Sequence, residues 1–221
     1  MTRSAFDFAQ KYIRDGLDNP RNTKKGNMKL QKLLYFSQLV HHAEYGVPLF
    51  KDKIYAYENG CVVESVMKQY HLRHDELVSA SHLASQTFSL EEKFTIDLVE
   101  SVFGELSAGE LSDLNHEHSC WKLAYGRSYI DENYRNKHLS EISDQEVYEH
   151  DLEGIKKIVD GYKSSNDSLT EAMITIGGTE FYFNPQEIII DEQLRSYLDN
   201  FVGEDEVFTI YKDRSQGVIV Y

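Results

Sequence analysis

The chain has 221 residues, 41% hydrophobic and 27% charged, which suits one large domain, or one domain with a small appendage, able to bury a core without disulfides or metal. No apolar run approaches the roughly 18–20 residues of a membrane helix, and the N-terminal residues MTRSAFDFAQ lack the apolar segment of a signal peptide, so a cytoplasmic location is the expectation. A net charge of −14 repels nucleic-acid phosphates and argues against extended DNA or RNA binding; it suits a basic protein partner, although on charge alone solubility is the plainer reading.

Ser4-Ala5-Phe6-Asp7 predicts a helix start, a hydroxyl to cap and an acid three residues later. Phe6, Ala9, Tyr12, Ile13 and Leu17 then share one face, and Asp18-Asn19-Pro20 ends the helix because proline disfavours helical geometry in the residue before it. A basic loop follows from Arg21 to Gly26. Residues 1–34 hold eight Lys/Arg against three Asp/Glu, or +5, and the remainder fifteen against thirty-four, or −19. The basic residues could touch DNA, but no helix-turn-helix spacing is visible and a solvated loop is the plainer reading. Asn27 is placed to cap the second helix, whose inner stripe reads Leu30, Leu33, Leu34, Ser37 and Val40, and Gly46 marks its end.

Residues 47–50 form a short extended connection. Ile54–Tyr57 reads as a short strand breaking at Asn59-Gly60, with a helix from Val62 to about Arg73. Ser89-Leu90-Glu91-Glu92 is another box-like helix start, Ser107 begins a shorter helix, Ser119 to Tyr125 a further turn or two, and Ser143 a helix reaching about Tyr162. The polar run 163–169 has the make-up of a linker. Beyond it, β-branched and aromatic residues flank Gly177-Gly178, a hairpin signal. Ile188–Ile190 reads as a third strand, Asp191–Phe201 as a helix, and Val207–Tyr211 with Val218–Tyr221 as a second hairpin. The expected class is α+β: a mainly helical N-terminal body with a short β element over residues 1–162, a linker over 163–169, and a small hairpin-rich α+β unit over 170–221.

Nine histidines and two cysteines invite a zinc reading through His71, His74, His116, His118, Cys61 and Cys120. Neither the Cys-x-x-Cys nor the His-x-x-x-His spacing of structural zinc occurs, and no metal or cofactor is expected. Nothing in the sequence supplies an environment that would activate a cysteine–histidine pair, and Gly177-Gly178 lacks the spacing of a phosphate loop. No catalytic residue and no enzymatic activity are expected. Fifteen tyrosines suit a protein interface.

Four segments in order carry a resemblance. Lys29-Leu30-Gln31-Lys32-Leu33-Leu34-Tyr35-Phe36 is followed by Gly46-Val47-Pro48-Leu49-Phe50, by Ala56-Tyr57-Glu58-Asn59-Gly60-Cys61-Val62, and by Leu111-Ser112-Asp113-Leu114-Asn115-His116 closed by Cys120-Trp121. The stretch from about 28 to 125 resembles the Panacea domain, the SocA-type, often phage-associated antitoxin family. Asn115 stands where that pattern has threonine, and Cys61 and Cys120 where it has proline, which predicts that the two cysteines are near neighbours. The resemblance implies a proteinaceous antitoxin of a bacterial or prophage toxin–antitoxin system that neutralises its toxin by direct binding. The alternatives are an adaptor that delivers a bound toxin to a protease, and a phage regulatory or interaction protein. The partners expected are a basic cognate toxin, a protease in the adaptor reading, and a second copy of the chain, with no membrane. The contact candidates are the polar turn Glu58, Asn59 and Gly60 with His116 and Trp121, although Trp121 also reads as a core anchor.

Overall fold

The computed structural model describes residues 3–169, 172–185, 187–202, 205, 207–213 and 217–221. They divide into two compact units, residues 1–159 and 160–221. The fold class is the α+β arrangement expected, with a helical N-terminal body and a β-rich C-terminal end.

In the first unit, Ser4 caps α1 (Ala5–Arg14) and the face carrying Phe8, Ala9, Tyr12 and Ile13 is buried. The second helix, α2 (Lys24–Tyr45), begins earlier than the sequence suggests. Thr23 is its cap, accepting from Gly26 N at 3.0 Å, and Asn27 lies inside the helix. Gly46 closes it in the left-handed conformation (φ 71°), where glycine carries no Cβ penalty. Every residue from Lys29 to His42 is buried, so α2 is a central helix covered on all sides rather than one with a single inner stripe. Around it pack α1, α3 (Glu64–Leu72), α5 (Leu90–Phe103) and α6 (Ala108–Glu117). The last two start with reciprocal capping boxes, Ser89 with Glu92 and Ser107 with Glu110.

The helix expected from Val62 starts later. Val62 and Val63 extend β2 (Gly60–Val63), which pairs antiparallel with β1 (Ile54–Tyr57) across the turn Glu58-Asn59. β-branched residues favour the strand here. Arg73 (φ −141°, ψ 45°) separates α3 from α4 (His74–Leu83), so His71 and His74 do not share one helix face. On the other edge of β1 lies the two-residue β3 (Glu141–Ile142). Between α6 and β3 runs α7 (Ser119–Arg127).

The single helix expected over 143–162 is two, α8 (Asp144–His150) and α9 (Leu152–Leu169), broken at Asp151. Its carboxylate accepts from Ser119 N and Cys120 N, both at 2.8 Å. α9 continues through 163–169, where a linker was expected. Those residues include neither glycine nor proline, each costs a helix only a few tenths of a kcal/mol, and the Ser164 and Ser165 hydroxyls bond back to the carbonyls of Asp160 and Gly161.

In the second unit, β4 (Ala172–Ile176) and β5 (Thr179–Phe183) form the predicted hairpin, with Gly177 and Gly178 both at positive φ, as a two-residue type I′ turn requires. α10 (Glu192–Asp199) connects β5 to β6 (Val207–Asp213), which pairs parallel with β5, and β7 (Gly217–Val220) pairs antiparallel with β6. The turn expected between β6 and β7 falls on residues 214–216, outside the described residues. Ile188–Ile190 is not a strand. Asn184 O accepts from both Glu187 N and Ile188 N, a tight turn that uses up the backbone groups a strand would offer. Ile188 still joins Ile176, Phe181, Leu198, Phe208 and Ile210 in this unit's core.

Candidate functional site

The β1–β2 turn is clamped by side chains from distant parts of the first unit. Trp121 Nε1 donates to Tyr57 O at 2.9 Å, His116 Nε2 to Glu58 O at 3.1 Å, and Ser112 Oγ to Asn59 O at 3.0 Å. Asn115 Oδ1 accepts from Cys61 N and its Nδ2 reaches Cys61 Sγ at 3.2 Å. From the other side, Lys32 Nζ donates to Cys61 O at 3.0 Å and Gln31 Oε1 accepts from Val63 N at 2.8 Å. Each hairpin residue from 57 to 63 except Gly60 and Val62 thus meets a long-range side-chain partner on its backbone. Gly60 makes the arrangement sterically possible. It sits at φ 92°, and a Cβ there would run into Asn115 Oδ1 and lie 2.7 Å from Lys32 Cε.

Three of the resembling segments therefore meet at one place. The polar members of the Lys29–Phe36 segment, Gln31 and Lys32, and of the Leu111–His116 segment, Ser112, Asn115 and His116, all hold the Ala56–Val62 segment. Gln38 does the same for the Leu49-Phe50 segment, accepting from both backbone N–H groups at 3.1 Å. These residues were not picked out by periodicity, which marks only apolar positions. The available signal was polar residues, Gln31, Lys32 and Gln38, set among the run of leucines and aromatics at the middle of α2.

Beneath the turn the environment is dry. Burial lowers the Lys32 ammonium to about 8 and raises the Cys61 thiol to about 12. Burial also raises Cys120, and both cysteines are free thiols. The Tyr35 hydroxyl lies 3.1 Å from Cys120 Sγ, and burial outweighs it in keeping both thiols protonated. Thiols held protonated in this way are poor nucleophiles. Among the described residues, no group of three or more His, Cys, Asp or Glu side chains could hold a metal ion.

The outer side of the turn carries an aromatic ladder. Trp121 is half-buried rather than a core residue. Its ring lies 4.2 Å from His116 and is stacked 4.9 Å from Tyr125. Arg135 lies over Tyr125 at 3.9 Å and over Tyr129 at 4.9 Å. Of the five contact candidates, Glu58 and Asn59 present exposed side chains, His116 and Trp121 are half-buried, and Gly60 is buried. Tyr125, Tyr129 and Arg135 extend the same surface and were not anticipated; the four-residue spacing of Trp121, Tyr125 and Tyr129 was the available signal for the rings, whereas nothing local places Arg135 over them.

Asp151 holds the ladder's helix in place by accepting from the first two N–H groups of α7. Asp151→Ala is expected to cost about 1–2 kcal/mol, the usual loss for a helix cap, measured as a lower urea midpoint with an unchanged slope. An unchanged midpoint would show that α7 does not depend on this carboxylate.

No helix among the described residues is long and apolar enough to cross a membrane. No curated protein and no solved structure matches the chain. Residues 30–122, which contain the hairpin, its clamp and Trp121, match the family model described as antitoxin SocA-like, Panacea domain, so the resemblance carried by the four segments holds over this stretch.

Proposed function

We propose that the chain is the antitoxin of a toxin–antitoxin pair and silences its toxin by binding it directly. The observation that carries this reading is the family match over residues 30–122, which supports an antitoxin-like role. The binding surface is assigned to the exposed side chains of the β1–β2 turn and the neighbouring ladder of Trp121, Tyr125, Tyr129 and Arg135. Aromatic residues and arginine dominate binding energy where they gather on a surface, and a clamped turn loses little entropy on binding. The acidic body, at −14 overall, speeds encounter with a basic toxin, and occupation of the toxin's working surface is enough to block it.

The test is co-expression with the adjacent reading frame. That frame should be lethal alone and harmless with this chain, and the two products should co-purify; a frame that stays lethal in the presence of this chain would end the reading. Tyr125→Ala is expected to weaken the complex by about tenfold or more while lowering the thermal melt of the free chain by only a few °C, the cost of one stacked pair and one cation–π contact. An unaltered affinity would move the interface elsewhere.

A further inference from the structure

The β1–β2 turn also borders the N-terminal half of α2. A depression of about 260 Å³ is lined there by Met28, Gln31, Lys32, Tyr57 and Val62 among others, and one of about 640 Å³ by Thr23, Tyr70 and His71 among others. Lys24, Asn27 and Met67 line both, so the two adjoin as one groove from the N-terminus of α2 to the turn.

The charge of this groove is opposite to that of the body. Residues 19–34 contain Arg21, Lys24, Lys25, Lys29 and Lys32 and no Asp or Glu. Arg21 is paired with Asp18, and Lys29 Nζ donates to Gly104 O. Among the described residues, Lys24, Lys25 and Lys32 form no ion pair, while Lys68 on the groove wall is held by Glu64. The first turn of α2 has no acidic residue to offset the positive end of a 22-residue helix. Lys32 supplies the second, independent sign of a ligand. Its side chain is 0% exposed, its one hydrogen bond goes to a neutral carbonyl, and it stands directly behind Gly60. A buried ammonium facing no carboxylate projects its field into whatever occupies the groove. Between the cationic end and the turn, Met28, Met67 and Val62 offer an adaptable apolar stretch.

We propose that this groove binds an acidic segment of the partner protein. One carboxylate sits at Lys24 and the α2 N-terminus, a second at the turn end within the field of the buried Lys32 ammonium, and an aliphatic side chain between them lies on Met28 and Met67. The proposal rests on the reading of the chain as a partner-binding protein and deepens it by assigning the chemistry of one partner segment. A peptide fits better than a nucleic acid. The cationic track is short, it ends at Glu58, and the acidic body repels a polyanion that continues past it.

The experiment uses the full chain, labelled at methionine methyls and backbone amides, titrated with the peptide acetyl-Ser-Glu-Leu-Glu-Ser-amide and with its Gln-for-Glu twin. Saturable shifts are expected at the Met28 and Met67 methyls and the Gly60 amide, with the twin about tenfold weaker or worse. Lys24→Glu should weaken the acidic peptide by a similar factor; this variant keeps its fold because Lys24 is exposed and an acid suits a helix N-terminus. No saturable shift, or equal binding of the twin, overturns the proposal, and tighter binding of a short DNA duplex at the same residues overturns it in favour of nucleic acid. Co-expression separates the two readings. If wild-type chain rescues from the toxin and Lys24→Glu rescues equally well, the groove is not the toxin's site and this proposal falls while the antitoxin reading stands. If wild type rescues nothing, the antitoxin reading falls and the peptide titration still decides the groove.

Discussion

Gly60→Ala is expected to destabilise the chain by roughly 3–5 kcal/mol and to free the β1–β2 turn from its clamp. Two costs add. At φ 92° an alanine pays roughly 1–2 kcal/mol of backbone strain. Its Cβ would also lie 2.7 Å from Lys32 Cε and 2.8 Å from Lys32 Nζ, besides running into Asn115 Oδ1. Neither neighbour is a loose surface chain. Both are fully buried and both hold the Cys61 peptide group, so yielding means leaving a buried backbone N–H or C=O unpaired at about 1–3 kcal/mol. Gly46→Ala is the control. It has φ 71° with nothing within 4 Å of a new Cβ, so it should show the strain alone. Urea midpoints of the two variants separate collision from strain. In the Gly60→Ala, Asn115→Ala double variant one collision is gone, and the loss should fall short of the sum of the single losses by about 1 kcal/mol or more. Equal losses at Gly60 and Gly46, or simple additivity in the double variant, would mean that the turn is not clamped through Asn115.

Three helix starts, at Ser89, Ser107 and Ser143, were legible in the sequence because a capping box is a local object. Ser89 with Glu92 and Ser107 with Glu110 need only three residues of separation, and so does Ser143, whose N–H donates to Glu146 Oε2 at 2.9 Å. The Gly177-Gly178 hairpin was legible for the same reason. Some failures were local, as at Thr23, at 163–169 and at Ile188–Ile190; others lay where a distant partner decides. Val62 and Val63 are strand rather than helix because β1 lies alongside them, and the break at Asp151 is made by amide groups more than 30 residues earlier in the chain. The clamp is the extreme case, joining Cys61 to residues 29 and 54 positions away and Tyr57 to one 64 positions away. The family resemblance marked those segments without saying why they recur together. The structure supplies the reason: their polar members satisfy one hairpin's backbone, and their apolar members bury the helix that carries two of those polar groups.

Lys32 is expected to make stability rise between about pH 8 and 9, before it falls again. Burial lowers its ammonium from 10.5 to about 8 in the folded chain. Between those values the unfolded chain binds a proton that the native chain has released, so stability increases with pH. The slope is about 1.4 kcal/mol per pH unit for one proton, and the penalty carried at neutral pH is on the order of 3 kcal/mol. Above pH 9 the sign reverses. Cys61 and Cys120, raised from 9.0 by burial, keep two protons in the native chain that the unfolded chain loses, and Tyr12, Tyr35 and Tyr70, raised from 10.0, add to the loss above pH 10. Lys32→Met keeps the side chain's bulk and removes the charge. It leaves Cys61 O without its donor, at about 1–3 kcal/mol, so its stability at pH 7 should lie near that of the wild type or above it. The decisive quantity is the difference between the two chains, in which groups that do not feel Lys32 cancel, and Cys61, which its charge does lower, stays protonated in both folded chains over pH 8 to 9. That difference should move in favour of the wild type by roughly 1 kcal/mol from pH 8 to 9, followed by urea unfolding at each pH; parallel curves would mean that Lys32 keeps an ordinary ammonium. The same ammonium faces the groove proposed for an acidic segment, which ties this measurement to that binding. If Lys32→Met matches or exceeds the wild type in stability at pH 7 and also loses the acidic peptide, stability and binding will have been separated at a single ammonium group.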